Sequence, residues 1–242
     1  MSTVLIGSTL SAMSTGLGAL IVLFVSQSLT HRLRDILLAF TAGIMMAACM
    51  MGLIPEALEQ GGFAPLCIGI YFGVVTLTTL EKKIPHADLH HHSDIIQIDE
   101  KAKLVIMAIM LHNIPEGLSV GVSYASSQVE TGNLIALAIG LQNAPEGFLV
   151  ALFLYNQNIS KIKAFFIASF TGSIEIVTAL IGYFSATYIA NLLPFGLGFA
   201  SGAMLFIIYK ELIPESHGDG NERVATYSFI VGLLVMVLLL GN

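Results

Sequence analysis

Eight apolar runs, each long enough to cross a bilayer, dominate this sequence of 242 residues. They lie at roughly 4–26, 34–54, 63–80, 102–125, 133–155, 162–189, 193–213 and 225–240. A helix of about 17–25 residues spans the hydrocarbon core, whereas a barrel strand needs only about 9–11. No water is available at that depth to satisfy the backbone, so segments of this length have to be helices. The expected fold is therefore all-α, a polytopic membrane protein with eight transmembrane helices and a single domain over residues 1–242. Charged residues make up 11% of the chain, against roughly 25% in soluble domains, which is too little to clothe a water-soluble globule. A soluble enzyme is excluded, and a net charge of −6 offers no footprint for nucleic acid. Cys49 and Cys67 stand singly in apolar runs, so neither a disulfide framework nor a paired-cysteine zinc site exists. The first run lacks a basic flank and a small-residue cleavage site, and reads as a retained helix and not a signal peptide.

The ten basic residues set the orientation. Arg32 and Arg34 follow the first run, and Lys82, Lys83, Lys101 and Lys103 flank the loop after the third. Lys161 and Lys163 follow the fifth, and Lys210 and Arg223 bracket the loop after the seventh. Positive loops stay cytoplasmic, which puts both termini outside the cell membrane and the long loop 81–101 inside.

Two internal repeats organise the chain. Phe40, Gly43, Met45, Leu53, Ile54, Pro55 and Glu56 recur as Phe199, Gly202, Met204, Leu212, Ile213, Pro214 and Glu215, at a constant offset of 159 residues. The two copies sit five spans apart, so they run in opposite directions through the membrane. That is an inverted repeat of the kind secondary transporters use, here a 3+2+3 arrangement with spans 4 and 5 between the units. Those two central spans carry the second repeat, Leu111-His-Asn-Ile-Pro-Glu-Gly117 and Leu141-Gln-Asn-Ala-Pro-Glu-Gly147, at an offset of 30 residues.

Ionisable groups inside a membrane are costly and mark functional sites by default. Glu116, Glu146 and Glu175 lie deep in spans 4, 5 and 6, and past the first turns of these spans there is no Lys or Arg to neutralise them. They are either protonated or facing a cation. His112 and Glu116 are four residues apart, as are Gln142 and Glu146, so each pair shares a helix face. Asn113 and Asn143 lie three residues before the same glutamates. If the two helices face one another, imidazole, carboxylate and amide oxygens converge at one depth. That donor set suits zinc and its first-row neighbours, where a pure oxygen cage would suit calcium or magnesium. Glu175 is either a further ligand or a helix–helix hydrogen bond, and its counterpart at the 159-residue offset is Gly16. Pro115 and Pro145 remove backbone donors and are expected to kink the helices at the site.

Other polar groups are less distinctive. His86, His90, His91 and His92 in the long loop read as a labile metal site or as a merely solvated loop. Glu56, Glu211, Glu215 and His217 stand at span ends, as lining of an access path or as interfacial polarity, and Glu211 can pair with adjacent Lys210. Met45, Met46, Met50 and Met51 read as packing residues.

On the paired motif His112-Asn-Ile-Pro-Glu-Gly117 and Gln142-Asn-Ala-Pro-Glu-Gly147, the eight-span layout and the His-bearing loop, the chain resembles the ZIP family of divalent-metal transporters, and within it a bacterial branch. The resemblance covers nearly the whole chain. It implies an elevator-type uptake carrier with a binuclear metal centre midway through the membrane. One ion would be held by His112, Glu116, Gln142 and Glu146, and a second by Asn113, Glu116, Asn143, Glu146 and Glu175. Spans 1, 4, 5 and 6 would move against spans 2, 3, 7 and 8, often within a homodimer. Many relatives carry a second histidine where this chain has Gln142, so iron, manganese and cadmium stand beside zinc as cargo. No resident cofactor is implied, and no ATP-binding motif is present, so ion gradients would drive transport. Two other readings are weaker. An intramembrane metal-dependent hydrolase needs an open metal position and a general base, and the sequence has no HExxH motif. A proton-coupled carrier of another solute leaves His112 and the duplicated amides without a role.

Overall fold

The computed structural model describes residues 1–25, 30–83, 98–126, 129–189 and 192–240. Eight long helices follow in order: α1 (Ser2–Leu23), α2 (His31–Gly61), α3 (Phe63–Lys83), α4 (Ile98–Tyr124), α5 (Val129–Asn156), α6 (Lys161–Tyr188), α7 (Leu192–Ser216) and α8 (Glu222–Leu240). Among the described residues, seven are long and apolar enough to cross a membrane. The eighth is α4, 27 residues long, which carries the His112 motif. Each expected span is thus a helix. The histidines His86, His90, His91 and His92 lie outside the described residues.

One helix, α6, is turned inside out relative to a helix of a water-soluble bundle. On α6 the buried stripe is Ala164, Ala168, Thr171, Gly172, Glu175, Thr178, Ala179 and Gly182, small or polar at every step. Phe166, Phe170, Val177 and Ile181 of the same helix face outward. Lipid tails are as apolar as leucine, so burying large side chains gains little here, and close packing of small residues holds the helices together.

The packing divides the helices into two groups. In one, α1 lies against α5 and α6, and α4 against α6; in the other, α3 lies against α7 and α2 against α8. Contacts between the groups are sparser and run mainly through α4–α7 and α2–α5. The pairing obeys the sequence repeat, because exchanging helices 1, 2, 3 and 4 with 6, 7, 8 and 5 converts each of these contacts into another or into itself.

Bare backbone makes the closest of these contacts. A Cβ on Gly43 would overlap the carbonyl oxygen of Phe229, and one on Gly202 would overlap that of Ile70. A Cβ on Gly73 would strike the Phe199 carbonyl, and one on Gly232 the Phe40 carbonyl. Each pair maps onto its twin at the same 159-residue offset, so the repeat extends through α3 and α8 as well.

The prolines of this repeat also act alike. Pro55 and Pro214 cannot donate to the carbonyls of Met51 and Lys210, four residues earlier, and their rings crowd them. The helix opens there into wider turns of the i→i+5 type, at Ala48–Leu53 in α2 and Ile208–Leu212 in α7. Pro115 and Pro145 lie inside α4 and α5 without a wide turn of this type.

A polar cluster with Arg34 and Asp35 buried at its centre pins the start of α2 to the segment between α7 and α8. The guanidinium of Arg34 donates to Asp219, and to Asp35 Oδ1 at 3.3 Å. Asn221 Nδ2 donates to Asp35 Oδ2 at 3.0 Å, and His31 Nδ1 lies 2.8 Å from Asp219.

Candidate metal site

The two Pro-Glu-Gly turns meet where glycine removes the steric barrier. A Cβ on Gly117 would overlap the Glu175 carbonyl on α6, and one on Gly147 would overlap the Thr15 carbonyl on α1. Each motif is thereby drawn against the neighbouring long helix, and the carboxylates that precede the glycines are carried inward. Asn113, Glu116, Gln142, Asn143 and Glu175 are buried. The side chains of His112 and Glu146 each keep 15% of their surface.

Within this cluster the groups stand in pairs. Gln142 Nε2 donates to Glu116 Oε1 across α4 and α5. Asn143 Nδ2 donates to Glu175 Oε1 at 2.8 Å, and Ser11 Oγ of α1 donates to Glu175 Oε2 at 2.8 Å. His112 Nδ1 lies 3.8 Å from Glu146 Oε1. Two ligands at about 2.0–2.1 Å from a tetrahedral zinc are roughly 3.3 Å apart, so a small inward movement of either side chain would close that gap around an ion. Asn113 turns away and donates to the Thr171 carbonyl on α6 at 2.8 Å. Among the described residues, no three His, Cys, Asp or Glu side chains are already gathered round one point.

Three buried oxygens in the cluster have no hydrogen-bond partner: Glu116 Oε2, Gln142 Oε1 and Asn143 Oδ1. An unpaired buried acceptor is expensive, and native proteins rarely leave one without a reason. All three are hard oxygen acceptors, with the imidazole of His112 nearby. A divalent cation satisfies such a set; a second carboxylate does not.

Two residues belong to this neighbourhood that sequence patterning did not assign. Ser11 supports Glu175, and its only sequence signal is a place on the small-residue stripe of α1. Glu211, read from the sequence as access-path lining, interfacial polarity or a partner of Lys210, lies 2.7 Å from His112 Nε2, while Lys210 Nζ donates to Glu81 Oε1 at 3.0 Å. The other span-end groups lie elsewhere: Glu56 accepts from Gln60 at 3.0 Å, and His217 Nδ1 is 2.9 Å from Ser216 Oγ. Met45 packs in the core as expected, whereas Met50 and Met51 face outward on the wide turn of α2.

Eight long helices in two groups, with a carboxylate, amide and imidazole centre buried in one of them, define a multi-pass membrane protein with a polar interior. Comparison with known proteins gives the same class a family. The family model described as "ZIP Zinc transporter" matches residues 77–240. The zinc transporter GufA of Myxococcus xanthus is 38% identical, over 97% of this chain and 96% of its own. The zinc transporter ZIPB of Bordetella bronchiseptica is 32% identical, over 97% of this chain and 79% of its own. The zinc transporter ZupT of Streptococcus mutans is 32% identical, over 98% and 96%. The chain belongs to the ZIP family. That family is one of transporters, and the hydrolase reading has no support from it.

Proposed function

We propose that the protein carries divalent metal, zinc foremost, across the cell membrane into the cytoplasm, through the centre formed by α4, α5 and α6. The observation that carries this reading is the trio of buried acceptors Glu116 Oε2, Gln142 Oε1 and Asn143 Oδ1, left without partners beside His112 and Glu146. The relatives are zinc transporters by name, and the donor set fits that ion.

Cargo is received as the pairs rearrange. Glu116 and Glu146 bridge two ions. His112 and Gln142 complete one position, and Asn113, Asn143 and Glu175 the other. Asn113 has to turn from the Thr171 carbonyl to take part, so the second position costs more to assemble than the first. Alternating access moves α1, α4, α5 and α6 as one body against α2, α3, α7 and α8. The sparse contacts between these groups support that division. Both termini face outward, and the carrier works as a homodimer.

The test is influx into liposomes holding a zinc-sensitive dye. Saturable influx is expected, and a folded Glu116→Gln, Glu146→Gln double variant is expected to lose it. Tight zinc binding with no influx would overturn the transport reading.

A further inference from the structure

One hydrogen bond crosses between the two groups of helices. The Gln142–Glu116, Asn143–Glu175, Ser11–Glu175 and Lys210–Glu81 bonds each join helices within one group. His112 Nε2 to Glu211 Oε2, at 2.7 Å, runs from α4 in one group to α7 in the other. The opposite ring nitrogen of His112, Nδ1, is the one turned to Glu146 at 3.8 Å. A metal-ligating imidazole almost always donates its second N–H to a carboxylate or carbonyl, which fixes its tautomer and ring orientation and raises its basicity.

We propose that Glu211 is a positioning residue for the cargo site. It holds the proton of His112 on Nε2, so that the Nδ1 lone pair is presented to an ion shared with Glu146. The inference rests on His112 being a ligand, and it adds a dependence on conformation. Glu211 belongs to the group against which α4 moves, so it supports His112 only while the two groups stand in this register. The counterpart of Glu211 at the 159-residue offset is Gly52, and His112 has its own counterpart in Gln142. No equivalent carboxylate therefore waits on α2 to support the site from the other side. When α4 leaves α7, the imidazole loses its partner and the ion is held less tightly.

The experiment measures zinc dissociation constants of the purified full-length protein by competition with a chromophoric chelator. Glu211→Ala, and Glu211→Leu as a volume-keeping alternative, are expected to weaken binding by about 10–100-fold, the usual effect of losing a histidine's supporting carboxylate. Glu211→Gln, whose amide oxygen still accepts from Nε2–H, is expected to recover most of that loss. Adding Glu211→Ala to His112→Ala is expected to cost nothing beyond His112→Ala alone, because the effect passes through the imidazole. Lys210→Ala, whose ammonium is bonded to Glu81, is expected to bind like the parent. Unchanged affinity in the Glu211 variants overturns the proposal, and so does an equal loss in the His112→Ala background. Unchanged affinity in His112→Ala itself removes the underlying ligand assignment as well.

Discussion

Gln142 spends its amide N–H on Glu116 across the α4–α5 contact, and its own carbonyl oxygen is left buried without a partner. A neutral side chain thus restrains one of the carboxylates proposed to bridge the ions while holding an acceptor in reserve. An amide in this place makes the centre oxygen-rich, which lowers its preference for zinc over manganese relative to an imidazole. Gln142→His is expected to raise the ratio of zinc to manganese affinity, read by competition in the liposome assay. An unchanged ratio would place selectivity elsewhere.

The glycine contacts between α2 and α8, and between α3 and α7, leave no room for a methyl group, because backbone carbonyls occupy the space. Gly43→Ala and Gly202→Ala are expected to destabilise the protein by about 1–3 kcal/mol each, the range for overpacking a filled interface. As repeat twins they should do so to a similar degree. Gly16→Ala meets only the movable hydroxyl of Ser169, at 3.1 Å, and should be tolerated. Thermal unfolding in detergent distinguishes the three.

Arg34 and Asp35 are both buried, and the guanidinium of Arg34 is paired with Asp35 and Asp219. Arg34→Ala leaves a buried carboxylate without its cation, and is expected to cost roughly 3–5 kcal/mol. Lys210→Ala breaks an ion pair whose lysine side chain keeps 55% of its surface, and should cost less than about 1 kcal/mol. Denaturant titrations of the two variants should therefore separate widely.

Much of this was legible in the chain because hydropathy and the Pro-Glu-Gly motifs are local signals. Most spans emerged with boundaries a few residues short, while the first, expected to run to 26, ends as a helix at Leu23. The largest gap is at α2, which runs on to Gly61 because Pro55 widens its helix without ending it. Proline alone does not foretell such a turn: Pro115 and Pro145 sit in unbroken helix, so tertiary packing decides. The 3+2+3 arrangement included α3 and α8, but the contacts that express the repeat there were hidden for a different reason. What recurs there is a glycine against a backbone carbonyl, and Ile70 can stand opposite Phe229 because neither side chain makes the contact. Of the readings open for Glu211, pairing with Lys210 is the one the structure does not show, because neighbours along a helix point about 100° apart. Its partner is set by α4, which nothing local to α7 encodes.

The ligand shell of the bound ion tests the proposed centre most directly. X-ray absorption on the zinc-loaded protein should show nitrogen and oxygen ligands only, at about 2.0–2.2 Å, with imidazole scattering that disappears in His112→Ala. A shell containing sulfur from Cys49 or Cys67, or one that His112→Ala and Glu116→Gln leave unchanged, would place the metal somewhere other than between α4 and α5.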